Sequence, residues 1–300
     1  MSIQNKELQI ISIDRNGGFS DRRAGGYACQ KTFVRVRRRQ RRKLARRLCL
    51  CLLCSCIAIL AALCWRINWF SDAAEVRGRN TQIRRLKEEI VSAENEAVYS
   101  KELEELLEQN EETYEFVKDY PNRADFMGRE IDLSEDCDTN DVPLLMQWDK
   151  RWGYDLYGDA MIGIAGCGPT CMTMAYLYLK DDMDMNPRKM AEFAQNAGYH
   201  TPDGTSWEFW TAGASAVGLY GEVVSLSENS MKNVLDGGGV IVCSMAPGDF
   251  TDTGHFILIR GYDGNGFFVN DPNRESNSDR QWDFETLAPQ IKNLWGLYGA

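Results

Sequence analysis

Three hydrophobic patterns follow one another along the chain. Residues 48–65 read LCLCLLCSCIAILAALCW, without a single charge. At helical rise this run spans about 27 Å, close to the hydrocarbon thickness of a bilayer. Residues 82–118 differ: they are rich in Glu, Leu, Lys and Gln and contain neither Pro nor Gly. Ile83, Leu86, Ile90, Ala93 and Ala97 recur there at spacings of three and four. Leu103, Leu107, Tyr114 and Val117 do so again with the register shifted. The pattern predicts a helical stalk over 71–121, bending or breaking near Tyr99 and Ser100 and stopped by Asp119-Tyr120-Pro121. We expect it to be a spacer helix that packs on the C-terminal domain.

The third pattern begins after an acidic, Asn/Asp-containing linker, 122–141. Gly166-Cys167-Gly168-Pro169-Thr170-Cys171 precedes an apolar-rich run, 172–179, which places a helix start at the cysteine. Asn186-Pro187 opens a second helix that Gly198 ends. Thr205-Ser206-Trp207-Glu208 caps a third, expected to run to about Val217. Ser227 caps a fourth, ending at Gly237. Short runs rich in Val, Ile and Phe then follow at Val240–Met245, 255–260 and Gly266–Asn270, separated by Asp/Gly turns. Helices first and strands second predict an α+β domain over 142–300.

Charge divides the chain unevenly. Residues 1–47 carry 14 Lys+Arg against 3 Asp+Glu, whereas the whole 300-residue chain has a net charge of −10. We read 1–47 as a basic cytoplasmic tail, unstructured over 1–34. The Arg-dense stretch before residue 48 invites a nucleic-acid reading. The uncharged run right behind it argues against one, and no nucleic-acid partner is expected. The basic flank instead orients a transmembrane helix, 48–70, with Trp65, Trp69 and Phe70 at its outer boundary. The acidic remainder is then extracytoplasmic and the protein single-pass. A cleaved signal peptide fits less well, because the basic region is long and no Ala-x-Ala site follows. Leu53-Cys54-Ser55-Cys56 faintly resembles a lipoprotein box, but the apolar run continues past it.

Six of the ten cysteines lie in the first 64 residues; Cys137, Cys167, Cys171 and Cys243 remain. With two histidines in the whole chain, no zinc site is expected. Cys167 stands out, because a helix N-terminus carries partial positive charge that favours a thiolate. Cys171, one turn on, reads as core. His255 begins a predicted strand, and Gly261-Tyr262-Asp263-Gly264-Asn265-Gly266 turns it back toward Asn270-Asp271-Pro272. His255 is the natural general base and Asp271 the group that would fix its tautomer. His200 lies in a turn-rich loop and reads as a surface residue. Asp252 and Asp263 read as loop and turn residues. Trp148, Trp152, Trp207 and Trp210 suit either a substrate cleft or the core.

In order and spacing, Val142-Pro143…Gln147, Gly166-Cys167-Gly168-Pro169-Thr170, Asp203-Gly204-Thr205-Ser206-Trp207, Gly254-His255-Phe256 and Asn270-Asp271-Pro272 resemble the peptidase C39-like family, over roughly 105–300. The resemblance implies a papain-like cysteine-peptidase fold, with N-terminal helices and a C-terminal antiparallel sheet. It also implies a Cys167-His255-Asp271 triad, with Gln147 as oxyanion-hole donor. The expected activity is peptide amide hydrolysis through a thioester, on a peptide or surface-protein substrate, with no metal or organic cofactor. A binding module without turnover and an acyl transferase using the same thioester are the alternatives. The sequence leaves the oligomeric state open.

Overall fold

A six-stranded antiparallel sheet organises the second half of the chain. The computed structural model describes residues 75–91, 98–137, 141–180 and 182–300. The chain divides into two units, 1–77 and 78–300. The first lies almost wholly outside the described residues, and so do the readings of a basic tail and of a transmembrane helix at 48–70. Among the described residues, no helix is long and apolar enough to cross a membrane.

The first elements are helical. Residues 75–90 are helical (α1); α2 is Lys101–Gln109 and α3 Tyr114–Asp119, with a 3₁₀ turn at Glu111–Thr113 between the last two. Ser100, in extended conformation, is the N-cap of α2, so a new helix starts where the sequence predicts a bend or break. Their apolar stripes are buried: Ile83, Leu86, Ile90, Leu103, Leu107, Phe116 and Val117 form one cluster with Tyr154. Phe116 stacks on the Tyr154 ring at 4.4 Å, and the Tyr154 hydroxyl donates to the Phe116 carbonyl at 2.7 Å. Leu133, within the acidic segment read as a linker, is also buried, in the main core.

A two-residue ribbon of β1 (Leu156–Tyr157) and β2 (Ala160–Met161) leads into the short α4 (Ile162–Ala165) and then α5 (Cys167–Lys180). Every residue from Gly168 to Leu177 is buried, so α5 is a central helix with no solvent face along that length. Helix α6 (Pro187–Asn196) packs beside it. Its start is fixed by the Asn186 side chain, which accepts from the Lys189 N–H, with proline at the first turn. A second ribbon joins β3 (His200–Thr201) to β4 (Gly204–Thr205).

The third helix is not continuous, contrary to expectation. A 3₁₀ turn, Trp207–Trp210, is separated from α7 (Ala212–Ala216) by Thr211 at φ −121°, ψ −74°. Phe209 and Trp210 are adjacent and both fully buried. The tight turn and the kink after it direct both rings inward. Packing has overridden local helix preference here.

The sheet comprises β5 (Leu219–Val223), β6 (Val240–Met245), β7 (His255–Asp263), β8 (Gly266–Asn270), β9 (Gln281–Trp282) and β10 (Ile291–Gly299). Their spatial order is β5-β10-β6-β7-β8-β9, with every pairing antiparallel. Strand β10 had no counterpart among the sequence-based expectations. Helix α8 (Glu228–Asp236) begins where expected, with the Ser227 hydroxyl accepting from the Ser230 N–H. Strand side chains alternate between two cores, as pleated geometry requires. Val240, Val242, Phe256, Leu258 and Trp295 face α5, while Ile241, Cys243, Met245, Ile257 and Ile259 face α8. Truncating a fully buried Trp such as Trp210 would cost on the order of 3–5 kcal/mol.

Candidate active site

The start of α5 is held by close backbone approaches. The Gly166 N–H donates to the Ile162 carbonyl at 2.7 Å, and the Gly166 carbonyl accepts from the Thr170 N–H at 3.0 Å. A Cβ on Gly168 would lie 2.3 Å from the Thr205 hydroxyl oxygen. Glycine on both sides of Cys167 thus lets the helix start fit against α4 and the Thr205 ribbon. The half-buried Cys167 is left at the N-terminus, where the first-turn N–H groups lack intrahelical partners.

His255 is the first residue of β7, and Asp271 follows the last residue of β8. With Leu258 opposite Asn270, the hairpin brings the two to the same end. The Asp271 Oδ1 lies 2.7 Å from His255 Nε2, and both side chains are buried. His255 and Cys167 line the same cleft. An ionised Asp271 is an acceptor only, so Nε2 carries a proton and donates it to Oδ1. Burial opposes protonation of His255. The Asp271 charge and hydrogen bond, aided by Cys167, more than offset it and push the histidine up to about 10.

Asp271 is the most heavily bonded group of the three. Its Oδ1 also accepts from the N–H groups of Asn273 (2.9 Å) and Arg274 (3.2 Å), and its Oδ2 accepts from the Asn277 amide at 2.7 Å. Burial works against the charge, but His255, Asn277 and the Asn273 N–H together hold the carboxyl below the usual range. Its own N–H donates to the Ser278 hydroxyl at 2.9 Å. Asn277 and Ser278 escaped the sequence reading; they sit in the short helix α9 (Glu275–Ser278), in a polar stretch with no periodicity.

Gln147 shares the cleft wall with Cys167 and His255. Its N–H donates to the Pro272 carbonyl at 2.7 Å. Asn270 ties the same two segments together, its amide donating to the carbonyls of Pro143 (3.0 Å) and Val142 (3.2 Å). The Val142-Pro143…Gln147 and Asn270-Asp271-Pro272 motifs are therefore physically stitched. The Gln147 side-chain amide differs from the expectation of a donor facing an oxyanion. It donates to the carbonyls of Gly163 (3.0 Å) and Ile164 (3.2 Å), and its buried Oε1 has no partner.

The remaining candidates fall elsewhere. Cys171 is fully buried beside the Phe256 carbonyl, and burial pushes its thiol well above the ordinary range. His200 meets the Tyr157 ring edge-on at 4.7 Å, away from the cleft. Trp152 and Trp210 are core, and Trp207 is half exposed. Trp148 donates to the Asn273 carbonyl at 2.8 Å and so braces the Asp271 loop. Asp263 closes its turn by accepting the Asn265 N–H, whereas Asp252 lines the cleft. No group of His, Cys, Asp and Glu suited to a metal ion occurs among the described residues.

The cleft, about 300 Å³, also has walls from α2, which sequence reasoning assigned to a stalk. That region is fastened to the Asp271 loop. The Asn110 amide donates to the Asn273 carbonyl, and Arg274 donates to the Gln109 carbonyl at 2.6 Å. The Glu112 carboxylate accepts from the N–H groups of Glu275 (2.6 Å) and Ser276 (3.2 Å). These contacts span more than 160 residues of sequence, so no local pattern announces them.

A search of curated proteins gave no match to this chain. Solved structures do show similarity. The peptidase domain of Streptococcus ComA, a bi-functional ABC transporter involved in a quorum-sensing pathway, is 14% identical with a TM-score of 0.36, over 45% of this chain and 93% of that one. A C39-like peptidase from Bacillus anthracis is 15% identical with a TM-score of 0.37, over 53% and 95%. A double glycine motif protease from an AMS/PCAT transporter, solved with its leader peptide, is 16% identical with a TM-score of 0.34, over 53% and 93%. A family description matches far more directly. Residues 139–300, more than half of the chain and including Gln147, Cys167, His255 and Asp271, fit the Peptidase_C39 like family, and the chain belongs to it.

Proposed function

We propose that this protein is a membrane-anchored cysteine peptidase whose catalytic domain works outside the cytoplasm. The observation that carries the reading is the buried His255–Asp271 pair, bonded at 2.7 Å, with His255 and Cys167 lining the same cleft. In this scheme Nδ1 of His255 takes the Cys167 proton. The thiolate adds to the carbonyl carbon of a peptide bond, and the imidazolium returns the proton to the departing amine. The products of this half are a thioester on Cys167 and a free amine. Water, deprotonated by the same ring, then releases the acid and restores the thiol. Asp271 keeps the ring in the required tautomer and stabilises its charged form.

The oxyanion would take the backbone N–H of Cys167 at the helix start, together with one Gln147 amide proton. Gln147 supplies that proton only by sharing or releasing one of its carbonyl partners. This same engagement favours the second reading, a binding module that keeps the fold without turnover. The membrane assignment draws on the uncharged run at 48–65 and its basic N-terminal flank. A peptide or surface protein is the substrate class, and an amine in place of water would give the acyl-transferase variant.

The test is turnover of a peptide library by the full chain beside its Cys167→Ala variant. We expect cleavage that vanishes with Cys167. Equal cleavage by both would refute the scheme, and no cleavage by either would favour the binding module.

A further inference from the structure

Asp271 is 0% exposed, so its charge must be held by protein donors rather than by solvent. Oδ1 takes three of them: His255 Nε2 at 2.7 Å and the N–H groups of Asn273 and Arg274. The Cβ–Cγ torsion of an Asp is soft, so an anchor on the other oxygen is what fixes the carboxylate plane. Asn277 supplies that anchor, its amide donating to Oδ2 at 2.7 Å. Asn277 is buried and is itself held at its backbone. Its N–H donates to the Arg274 carbonyl at 3.2 Å, and its carbonyl accepts from the Trp282 indole N–H at 2.8 Å. Trp282 is pinned in turn, with the Phe250 ring against it at 4.4 Å and the Arg280 guanidinium over it at 3.7 Å. Phe250 lines the same cleft as Cys167. A packed chain of side chains thus runs from the cleft wall through Trp282 and Asn277 to Asp271.

We propose that Asn277 is a positioning residue for the chemistry at Cys167: it fixes the plane of the Asp271 carboxylate so that Oδ1 stays aimed at His255 Nε2, and Trp282 keeps Asn277 in place. The inference rests on the peptidase reading given above. Loss of the Asn277 amide would leave Oδ2 buried without that donor, which penalises the charged form of Asp271. A less firmly charged Asp271 supports the imidazolium less, and the thiolate that pairs with the imidazolium then forms less readily. The Cys171 thiol, also near Asp271, is buried and pushed well above the ordinary range, so the change is read at Cys167.

The test is the pH dependence of Cys167 alkylation by iodoacetamide on the folded full chain, read by mass spectrometry. Asn277→Leu removes the donor at similar size, and Asn277→Ala removes it and leaves space. Either should slow Cys167 labelling about tenfold near neutral pH, the scale of one lost charge-assisted hydrogen bond. Either should also move the acid-side onset of labelling to higher pH. Trp282→Phe keeps a packed ring but loses the indole donor, and should move the onset the same way by less. In a His255→Ala background Asn277→Leu should add nothing, because it acts through the histidine. A folded Asn277 variant with the wild-type rate and onset would overturn the inference and leave the peptidase reading standing. An Asn277→Leu effect undiminished by His255→Ala would do the same. If neither Asn277 variant folds, Trp282→Phe decides, and an unmoved onset overturns the inference. A wild-type chain whose Cys167 labels no faster than Cys171 and Cys243 would remove the peptidase reading and the inference with it.

Discussion

The Asn110 side-chain amide donates to the carbonyl of Asn273, two residues past Asp271. The bond joins a helix before the matched domain to the loop that holds the acid of the Cys167–His255–Asp271 arrangement. Asn110 is 3% exposed, so its replacement would leave buried polar groups unpaired. Asn110→Ala should cost about 1–3 kcal/mol of stability, read by denaturant unfolding. If the bond positions Asp271, the pH profile of Cys167 labelling should shift as well. A stability loss with an unmoved pH profile would make the contact purely structural.

Gln147→Ala separates two roles. As an oxyanion donor, its loss should lower turnover about 10²–10³-fold. Cys167 alkylation should be spared, because no tetrahedral oxyanion forms in that reaction. The carbonyls of Gly163 and Ile164 lose a donor in the same variant, so some destabilisation should accompany it. Unchanged turnover in the folded variant would withdraw Gln147 from the mechanism.

Asp271→Asn should change the pH dependence in a defined direction. Burial lowers His255 and the Asp271 charge is the largest influence raising it, so removing that charge lets the histidine fall well below its wild-type value of about 10. The alkaline limit of Cys167 reactivity that depends on the imidazolium should move to lower pH. The same linkage affects stability. A raised histidine contributes fully below ~6.5, and its contribution is lost as pH rises through the folded value of about 10. Unfolding titrations should show that alkaline loss in the wild-type chain and little of it in Asp271→Asn. Asp271 itself, held low, contributes above its unfolded value of ~3.9, and that contribution goes as pH falls through the folded one. An identical alkaline profile in the two proteins would contradict the coupling.

Topology is tested in cells. Protease added to intact cells should remove the C-terminal domain and spare an N-terminal tag, as the basic flank of 48–65 requires. Protection of the C-terminal domain would reverse the orientation and exclude an extracytoplasmic substrate.

What could be read from sequence was local. Glycine and proline around Cys167 marked the start of α5, and Asn186 and Ser227 marked α6 and α8 as side-chain caps. The apolar runs of β6 to β8 were continuous enough to be read as strands. Strand β10 was not, because Lys292, Asn293, Gly296 and Gly299 interrupt its apolar residues. Its place between β5 and β6 supplies the burial that the pattern does not advertise. Cys167, His255 and Asp271 were each singled out by residue type and position, and the structure brings them together. Asn277, Ser278, Asn110 and Glu112 support Asp271 through contacts set by tertiary packing, and their polar surroundings look like any exposed turn. The α2 stripe was legible as a buried face, but nothing in it said that the helix would wall a cleft.

The most direct measurement is site-resolved alkylation of the folded full chain by brief iodoacetamide exposure near neutral pH. Cys171 and Cys243 are buried with their thiols pushed up, while Cys167 is half-buried at a helix start beside His255. Cys167 should label well ahead of Cys137, Cys171 and Cys243, and His255→Ala should abolish that lead. Equal labelling of the four cysteines, or a Cys167 lead untouched by His255→Ala, would contradict the claim that Cys167, His255 and Asp271 form one reactive unit.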